Sequence, residues 1–322
     1  MLVLTGGAGF IGSCLLSRLN EEGRDDIIVV DNLASTEKWK NLVGKRYNMY
    51  LQKQEFLTLF CQGKLDKDID AIIHLGACSS TTEKNADYLM ANNLNYTKAL
   101  AAWCLKNGKK MWYASSAATY GDGSLGYSDD DALTPKLRPL NMYGYSKQLF
   151  DEWLIKNKCQ NKLTGFRFFN VFGPNEYHKE SMRSMILKAF PKARDEKKIS
   201  LFASDRQDYA DGEQKRDFVY VKDVVEVIMY FYKNPNVGGI YNIGTGKAQS
   251  WNEVARAMFK ALNVQGEIEY VEMPEILKGK YQYFTEADLT KLRKAGCKHQ
   301  FMTLEESVGD YVKNYLLKEA YL

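Results

Sequence analysis

A serine, a tyrosine and a lysine near the middle of the chain have the types and spacing needed for acid–base chemistry on an alcohol. Ser116 lies in the stretch ASSAATYG, and Tyr143 and Lys147 open and close the stretch YGYSK. Residues four apart share one face of a helix, and a lysine ammonium beside a phenol lowers the pKa of the phenol. Such a tyrosine can take a proton from a hydroxyl while a nicotinamide takes hydride from the same carbon, with Ser116 bonded to the substrate oxygen.

The elements that must position these residues alternate between short β-branched runs and helical patterns. Such alternation predicts an α/β fold, a doubly wound Rossmann-type parallel sheet with helices on both faces. Beyond residue 172 the pattern is less regular and predicts a smaller C-terminal α/β substrate-binding domain. We assign 1–172 and a returning segment at about 217–239 to the cofactor domain, and 173–216 and 240–322 to the substrate domain. The predicted strands are 1–5, 27–30, 71–76, 110–115, 164–171, 216–221, 239–243 and 268–271; the predicted helices include 10–19, 85–104, 143–157, 224–232 and 250–262.

A glycine-rich turn, TGGAGFIG, follows the first predicted strand. Gly6 permits a tight turn, Gly9 allows a pyrophosphate to approach the backbone, and Gly12 allows close packing of helix on strand. Asp31 ends the second strand and is predicted to bind an adenosine ribose hydroxyl, which favours NAD. Lys38 can instead neutralise a 2′-phosphate and favour NADP. The residues alone leave NAD and NADP open.

The composition excludes several other classes of protein. The 322 residues carry a formal net charge of +4, and their lysines and arginines are scattered along the chain, so we expect no basic patch of the kind that binds nucleic acid. The six cysteines form no CxxC pair and there are three histidines, so neither a metal site nor a disulfide framework is expected. A strand begins almost at Met1, and the chain has no apolar run of membrane-spanning length. We therefore expect a cytoplasmic protein without a membrane partner.

Two further motifs, NVFGP at 170–174 and RDFVYV at 216–221, complete a resemblance over essentially the whole chain. With the glycine turn and the Tyr143/Lys147 pair, they resemble the extended short-chain dehydrogenase/reductases that act as nucleotide-sugar epimerases and dehydratases. The dehydratase branch carries an Asp-Glu pair after the active-site Ser or Thr, whereas Ser116 is followed by two alanines. The resemblance therefore favours an epimerase.

Three more segments, GACSSTTE at 76–83, HKESM at 178–182 and KGKYQ at 278–282, resemble the ADP-heptose 6-epimerases within this group. That resemblance implies conversion of ADP-D-glycero-D-manno-heptose to its L-glycero epimer at C6″, for the lipopolysaccharide inner core. It also implies bound NADP, a homo-oligomer (a pentamer) and a second base, Lys179, opposite Tyr143. Without the resemblance, Lys179 is better explained as a solvated lysine or as a group that neutralises the substrate phosphate.

The resemblance also implies two sets of contacts. The cofactor set is Gly6, Gly9, Phe10, Ile11, Gly12, Asp31, Asn32, Lys38, Lys53, Leu75, Gly76, Ala77, Cys78, Ser79, Asn92, Lys147, Val171 and Lys179. The nucleotide-sugar set is Ser116, Asn170, Ser181, Lys188, Phe202, Ala203, Ser204, Asp205, Arg216 and Tyr281. The guanidinium fork of Arg216 also suits a diphosphate by its geometry, the alternative being an ion pair with Asp217.

Two other functions stay open. A UDP-hexose 4-epimerase would use the same residues with a different sugar pocket, and turnover of UDP-galactose would identify it. A non-catalytic dinucleotide sensor on this fold would be expected to lack the tyrosine or the lysine, and both are present here.

Overall fold

The computed structural model describes residues 1–275 and 282–322, which fold around a parallel sheet. The strands are β1 (Leu2–Thr5), β2 (Ile27–Asp31), β3 (Met49–Gln52), β4 (Ala71–His74), β5 (Lys110–Ser116), β6 (Thr164–Phe168), β7 (Asn170–Phe172), β8 (Lys198–Phe202), β9 (Lys215–Arg216), β10 (Phe218–Tyr220), β11 (Gly239–Ile243), β12 (Gln249–Ser250) and β13 (Glu267–Val271). The helices are α1 (Phe10–Glu21), α2 (Lys53–Cys61), α3 (Ala86–Leu89), α4 (Tyr96–Asn107), α5 (Met142–Lys156), α6 (Met185–Asp195), α7 (Val221–Lys233), α8 (Trp251–Leu262), α9 (Thr290–Lys294) and α10 (Leu304–Tyr311).

Seven of the strands form the central sheet in the order β11-β6-β5-β4-β1-β2-β3, and every neighbouring pair is parallel. The residues of β1, β2, β6 and β11 are buried along their whole length, because helices cover both faces. The predicted Rossmann-type α/β fold is confirmed. The predicted helix at 85–104 is present, with a π-helical turn (Met90–Asn95) between α3 and α4.

A smaller α/β unit stands beside the sheet. In it, β8 pairs with β13 in parallel, and α6 and α8 pack against β8. Ser250 and Glu253 form a capping box at the start of α8, and Thr303 and Glu306 form another at α10. Among the described residues, no helix is both long and apolar enough to cross a membrane.

The predicted strand at 164–171 is wrong as a single strand, because the chain changes sheets at Phe169. The amide of Phe169 donates to the carbonyl of Ile243 at 3.0 Å, and that of Asn170 donates to the carbonyl of Asp217 at 3.0 Å. After this step β7 pairs with β10 instead of continuing in the large sheet. The predicted strand at 216–221 divides at Asp217 for the same reason.

The division into two domains stays a proposal. Two features of the structure concern the position of the domain boundary. The sheet's edge strand β11 ends at Ile243, past the end of the segment assigned to the cofactor domain. One apolar core also joins both parts, including Leu4 of β1, Val227 of α7 and Met258 of α8. We therefore place the boundary after Ile243 and regard the two parts as packed against a shared core.

A buried ion pair fastens α5 to the sheet. The side chains of Asp151 and Arg167 are both fully buried, and Nε of Arg167 donates to Oδ2 of Asp151 at 3.0 Å. Tyr113 and Ser115 of β5 donate to the same carboxylate, each at 2.9 Å. The guanidinium also reaches the hydroxyl of Thr134 at 2.9 Å. Since α5 carries Tyr143 and Lys147, this network fixes the helix that presents them.

Replacing Asp151 with Asn is expected to lower the free energy of unfolding by about 3 kcal/mol or more, because the Arg167 charge would stay buried without its partner. Urea denaturation measures this change. Glu305→Gln is the control, since its pair with Lys260 is exposed (71% and 62%) and is expected to contribute less than about 1 kcal/mol. Equal, small effects of the two substitutions would contradict the anchoring role of Asp151.

Candidate active site

A cleft of about 1450 Å³ opens at the carboxyl ends of the strands, where ligands bind in sheets of this kind. Its volume exceeds that of a typical pocket for one small molecule. Every residue of the predicted cofactor set lines it. Of the residues predicted for catalysis and the nucleotide sugar, it is lined by Ser116, Tyr143, Lys147, Asn170, Lys179, Lys188 and Phe202.

The glycine turn between β1 and α1 packs so closely against neighbouring backbone that it admits no other side chain at Gly6 or Gly12. Gly6 has φ +70°, and a Cβ there would lie 2.6 Å from the amide nitrogen of Gly76. A Cβ on Gly12 would lie 2.0 Å from the carbonyl oxygen of Gly6. In the described part of the chain no side chain caps α1 at Gly9, so its first amide groups and its positive dipole end face the cleft. This cradle fits the pyrophosphate of a dinucleotide.

Asp31 ends β2 with a carboxylate that the surrounding protein already engages. It accepts from the amides of Ala8 at 2.9 Å and Asn32 at 2.7 Å. The ammonium of Lys38 lies 2.6 Å from its Oδ1. Because Lys38 neutralises Asp31, this end of the cleft can hold either a ribose hydroxyl or an anionic group.

Tyr143 stands in the first turn of α5, which Asn141 caps by accepting from the amide of Gly144 at 2.9 Å. Burial raises the pKa of the Tyr143 phenol, and a hydrogen bond with the Ser116 side chain opposes that rise. Ser116 in turn accepts from the amide of Ala118 at 3.1 Å. The end of β5 and the start of α5 thus bring the predicted serine and tyrosine into contact.

Lys147 lies one turn after Tyr143 and is buried. Its ammonium donates to the carbonyl of Ala114 in β5 at 2.8 Å, so the side chain extends from α5 to the sheet. Burial lowers the pKa of Lys147 to about 8, against the opposing charge of Asp151. The helical spacing predicts that Lys147 lowers the pKa of Tyr143. In the structure the Lys147 ammonium binds a backbone carbonyl instead, and the side chain that opposes the rise in the pKa of Tyr143 is Ser116.

Lys179 reaches the same cleft from the loop between β7 and α6. Its Nζ lies over the ring of Phe10, 5.0 Å from the centroid, beside the glycine turn. Burial lowers the pKa of this amine, Glu176 raises it, and Lys188 lowers it further. An amine with a lowered pKa can accept a proton, as a general base must.

Five predicted substrate residues lie outside the described lining of the cleft. They stay predictions: Ser181, Ala203, Ser204, Asp205 and Arg216. Arg216 is buried in β9, where its backbone pairs with Gln249 and its guanidinium donates to the carbonyl of Lys215 at 2.8 Å. Tyr281 lies outside the described residues. Asp217, the alternative partner that the sequence offers for Arg216, has a carboxylate that accepts from the amides of Thr245, Gly246 and Ala287 at 2.7 to 3.0 Å.

Two buried asparagines that we did not predict hold the walls of the cleft together. Asn93 bonds both the amide and the carbonyl of Cys78, each at 2.9 Å, and donates to the hydroxyl of Ser146 at 3.1 Å. Asn41 donates to the carbonyls of Ala8 at 3.0 Å and Asn175 at 3.1 Å. Asn93 therefore ties the loop after β4 to α5, and Asn41 ties the glycine turn to the segment before Lys179.

The profile of the NAD dependent epimerase/dehydratase family matches residues 2–244. The chain is 54% identical over 316 residues to the ADP-L-glycero-D-manno-heptose-6-epimerase of Nitratidesulfovibrio vulgaris, covering 98% of each chain. It is 47% identical over 331 aligned positions to the enzyme of that name from Fusobacterium nucleatum, covering 99% of each.

The solved structures include a close likeness. The crystal structure of the Helicobacter pylori ADP-L-glycero-D-manno-heptose-6-epimerase has a TM-score of 0.82 and 29% identity, covering 97% of this chain and 95% of its own. This likeness, the sequence matches and the cleft together show which family the chain belongs to. It belongs to the NAD dependent epimerase/dehydratase family and, within it, to the group of the ADP-L-glycero-D-manno-heptose-6-epimerases.

Proposed function

We propose that the protein interconverts ADP-D-glycero-D-manno-heptose and its L-glycero epimer at C6″, supplying a precursor of the lipopolysaccharide inner core. The observation that carries the proposal is that two groups able to exchange protons, Tyr143 and Lys179, line one cleft beside a dinucleotide cradle. The names of the relatives support ADP-heptose as the substrate. An epimerase must remove hydride from a carbon and return it to the other face, and one acid–base group cannot suit both epimers equally.

Tyr143 serves one epimer. It exchanges the proton of the C6″ oxygen while Ser116, bonded to the phenol, polarises that oxygen. Lys147 binds the nicotinamide ribose and stays in place through its bond to Ala114. A bound dinucleotide would supply the hydride acceptor and donor for C6″, and its oxidised form would add positive charge beside the phenol.

Lys179 serves the other epimer. The carbon C6″ lies outside the sugar ring, so the transient ketone can rotate and present its other face without moving the rest of the substrate. The Lys179 amine, with its pKa lowered by burial, then exchanges the proton of the oxygen in that second orientation.

We assign Lys38 to the 2′-phosphate of NADP. The ion pair of Lys38 with Asp31 removes the repulsion that a lone carboxylate would exert on a phosphate, and the Lys38 side chain remains partly exposed, at 22%. The resemblance to the heptose epimerases adds support for NADP, while the family as a whole is described as NAD dependent.

A cytoplasmic homo-oligomer completes the proposal. Its support is the resemblance to the heptose epimerases, which implies a pentamer. Light scattering on the purified protein measures the number of subunits.

Substituting Tyr143 with Phe is expected to reduce kcat for epimerisation by about 10²-fold or more, because the group that exchanges a proton with one epimer is removed. The rate is followed by NMR from each epimer in turn. Tyr145→Phe is the matched control, since Tyr145 lies two residues further on the same helix and is 45% exposed. A Tyr143→Phe protein as active as Tyr145→Phe would remove the tyrosine from the mechanism.

Substituting Lys179 with Met is expected to reduce kcat in both directions by a similar factor, since each complete turnover passes through the step that Lys179 serves. The exposed Lys197→Met is the control, and circular dichroism checks that both variants fold. Full activity of Lys179→Met from either epimer would contradict the two-base assignment while leaving the Tyr143 result untouched.

Substituting Lys38 with Met is expected to weaken NADP binding by about 10-fold or more and to leave NAD binding nearly unchanged, because one charge-assisted contact to the 2′-phosphate is lost. Titration calorimetry with both dinucleotides measures the two affinities. Lys40→Met, two residues on and paired with Glu37, is the matched control. Equal weakening for both dinucleotides would count against a phosphate contact at Lys38.

A further inference from the structure

We propose that Glu176 is a positioning residue for Lys179, closing the loop that carries the lysine and keeping a buried negative charge on that loop. The inference rests on the proposed role of Lys179 as the second base. Nothing in the sequence pattern marks Glu176, and the structure shows its role through three groups of contacts.

The first group closes the loop 173–184, which leads from β7 to α6. Glu176 is fully buried (0% exposed), although a lone carboxylate is costly to bury. Its Oε1 accepts from the amide of Gly173 at 3.3 Å and from the hydroxyl of Ser184 at 2.7 Å, and its Oε2 accepts from the amide of Ser184 at 2.6 Å. One carboxylate therefore binds both ends of the loop. We call this carboxylate and its three donors the clamp. Ser184 also caps α6, so the clamp is attached to the start of that helix.

The second group fixes the backbone on both sides of Lys179. The amide of Lys179 donates to the carbonyl of Glu176 at 3.0 Å, which makes the first turn of the loop. The next residue, Glu180, has φ 47° and ψ −119°, a conformation that residues with a side chain rarely adopt. Such a conformation persists only where the surroundings determine it, and the clamp formed by Glu176 supplies that constraint.

The third group is electrostatic. The charged groups that shift the pKa of Lys179 are Glu176, which raises it, and Lys188 of α6, which lowers it. The neighbouring His178 has a pKa of about 4, lowered by burial and by the cations Lys38 and Lys179, and so is neutral at pH 7. Tyr311 of α10 interacts with Glu176, and burial raises the pKa of this phenol, so that it stays neutral. Glu176 is thus the negative charge that opposes burial and Lys188 at this amine.

The sign of the effect follows from these contacts. Removal of the Glu176 charge leaves burial and Lys188 acting in the same direction, so the pKa of Lys179 falls. The pH below which Lys179 is protonated and unable to act as a base falls with it. A residue that served only to hold the fold would lower stability without moving this pH.

The test uses Glu176→Gln in the intact protein with its bound dinucleotide. The reaction of the Lys179 amine with acetic anhydride is followed against pH by mass spectrometry of its peptide. We expect the midpoint to fall, because burial and Lys188, which remain, both lower the pKa of the amine. Asp217→Asn is the matched control, since Asp217 is also fully buried and accepts three hydrogen bonds from loop amides, and it should leave the midpoint unchanged. An unchanged midpoint in Glu176→Gln overturns the inference.

The pH dependence of kcat/KM separates this inference from the proposed function. If the amine midpoint falls and the acid limb of the rate profile falls with it, both stand. If the midpoint falls and the acid limb stays, the inference about Glu176 stands and Lys179 is not the base. Should Glu176→Gln fail to fold, Ser184→Ala removes one donor of the clamp and keeps the charge. It should reduce kcat by about 10-fold with an unchanged amine midpoint, and an unchanged kcat would overturn the positioning role.

Discussion

All neighbouring strands of the seven-stranded sheet run in the same direction, and the arrangement of the site depends on that constraint. Because carboxyl ends of parallel strands meet at one edge, the loops after β1, β2, β4 and β5 open into one cleft. Chain segments far apart in sequence thereby supply the glycine turn, Asp31, Ser116 and Tyr143. The step at Phe169, where the chain leaves the large sheet, sends the loop with Lys179 across the same cleft.

Buried polar groups then hold these segments at fixed positions. Asp151 and Arg167 anchor the helix below Tyr143 and Lys147. Asn93 joins that helix to the loop after β4, and Asn41 joins the glycine turn to the segment that leads to Lys179. Each of these side chains is engaged on several sides, so a substitution leaves partners buried and unsatisfied. The site is held by hydrogen bonds between loops as much as by the sheet itself.

Much of this arrangement could be predicted from the sequence, because it depends on local signals. Strand ends, glycine spacing and helix caps lie within a few residues of each other, and they indicated Gly6, Asp31, Ser116 and Tyr143. Lys179 has no such signal and was found only through resemblance. The contacts of Asn93 and Asn41 join residues 15 and 134 positions away, which no local pattern encodes. Helical spacing put Tyr143 and Lys147 on one face, but the length of the lysine side chain decided that it binds Ala114.

One measurement tests the central claim, that the protein removes a hydride from C6″ and returns it to the opposite face. The purified protein, without added cofactor, is incubated in D₂O with ADP-D-glycero-D-manno-heptose, and C6″ is followed by NMR. The account predicts a mixture of the two epimers with protium retained at C6″, because the same hydride leaves and returns without exchange with solvent. Deuterium at C6″, or no conversion even after NADP or NAD is added, would contradict it.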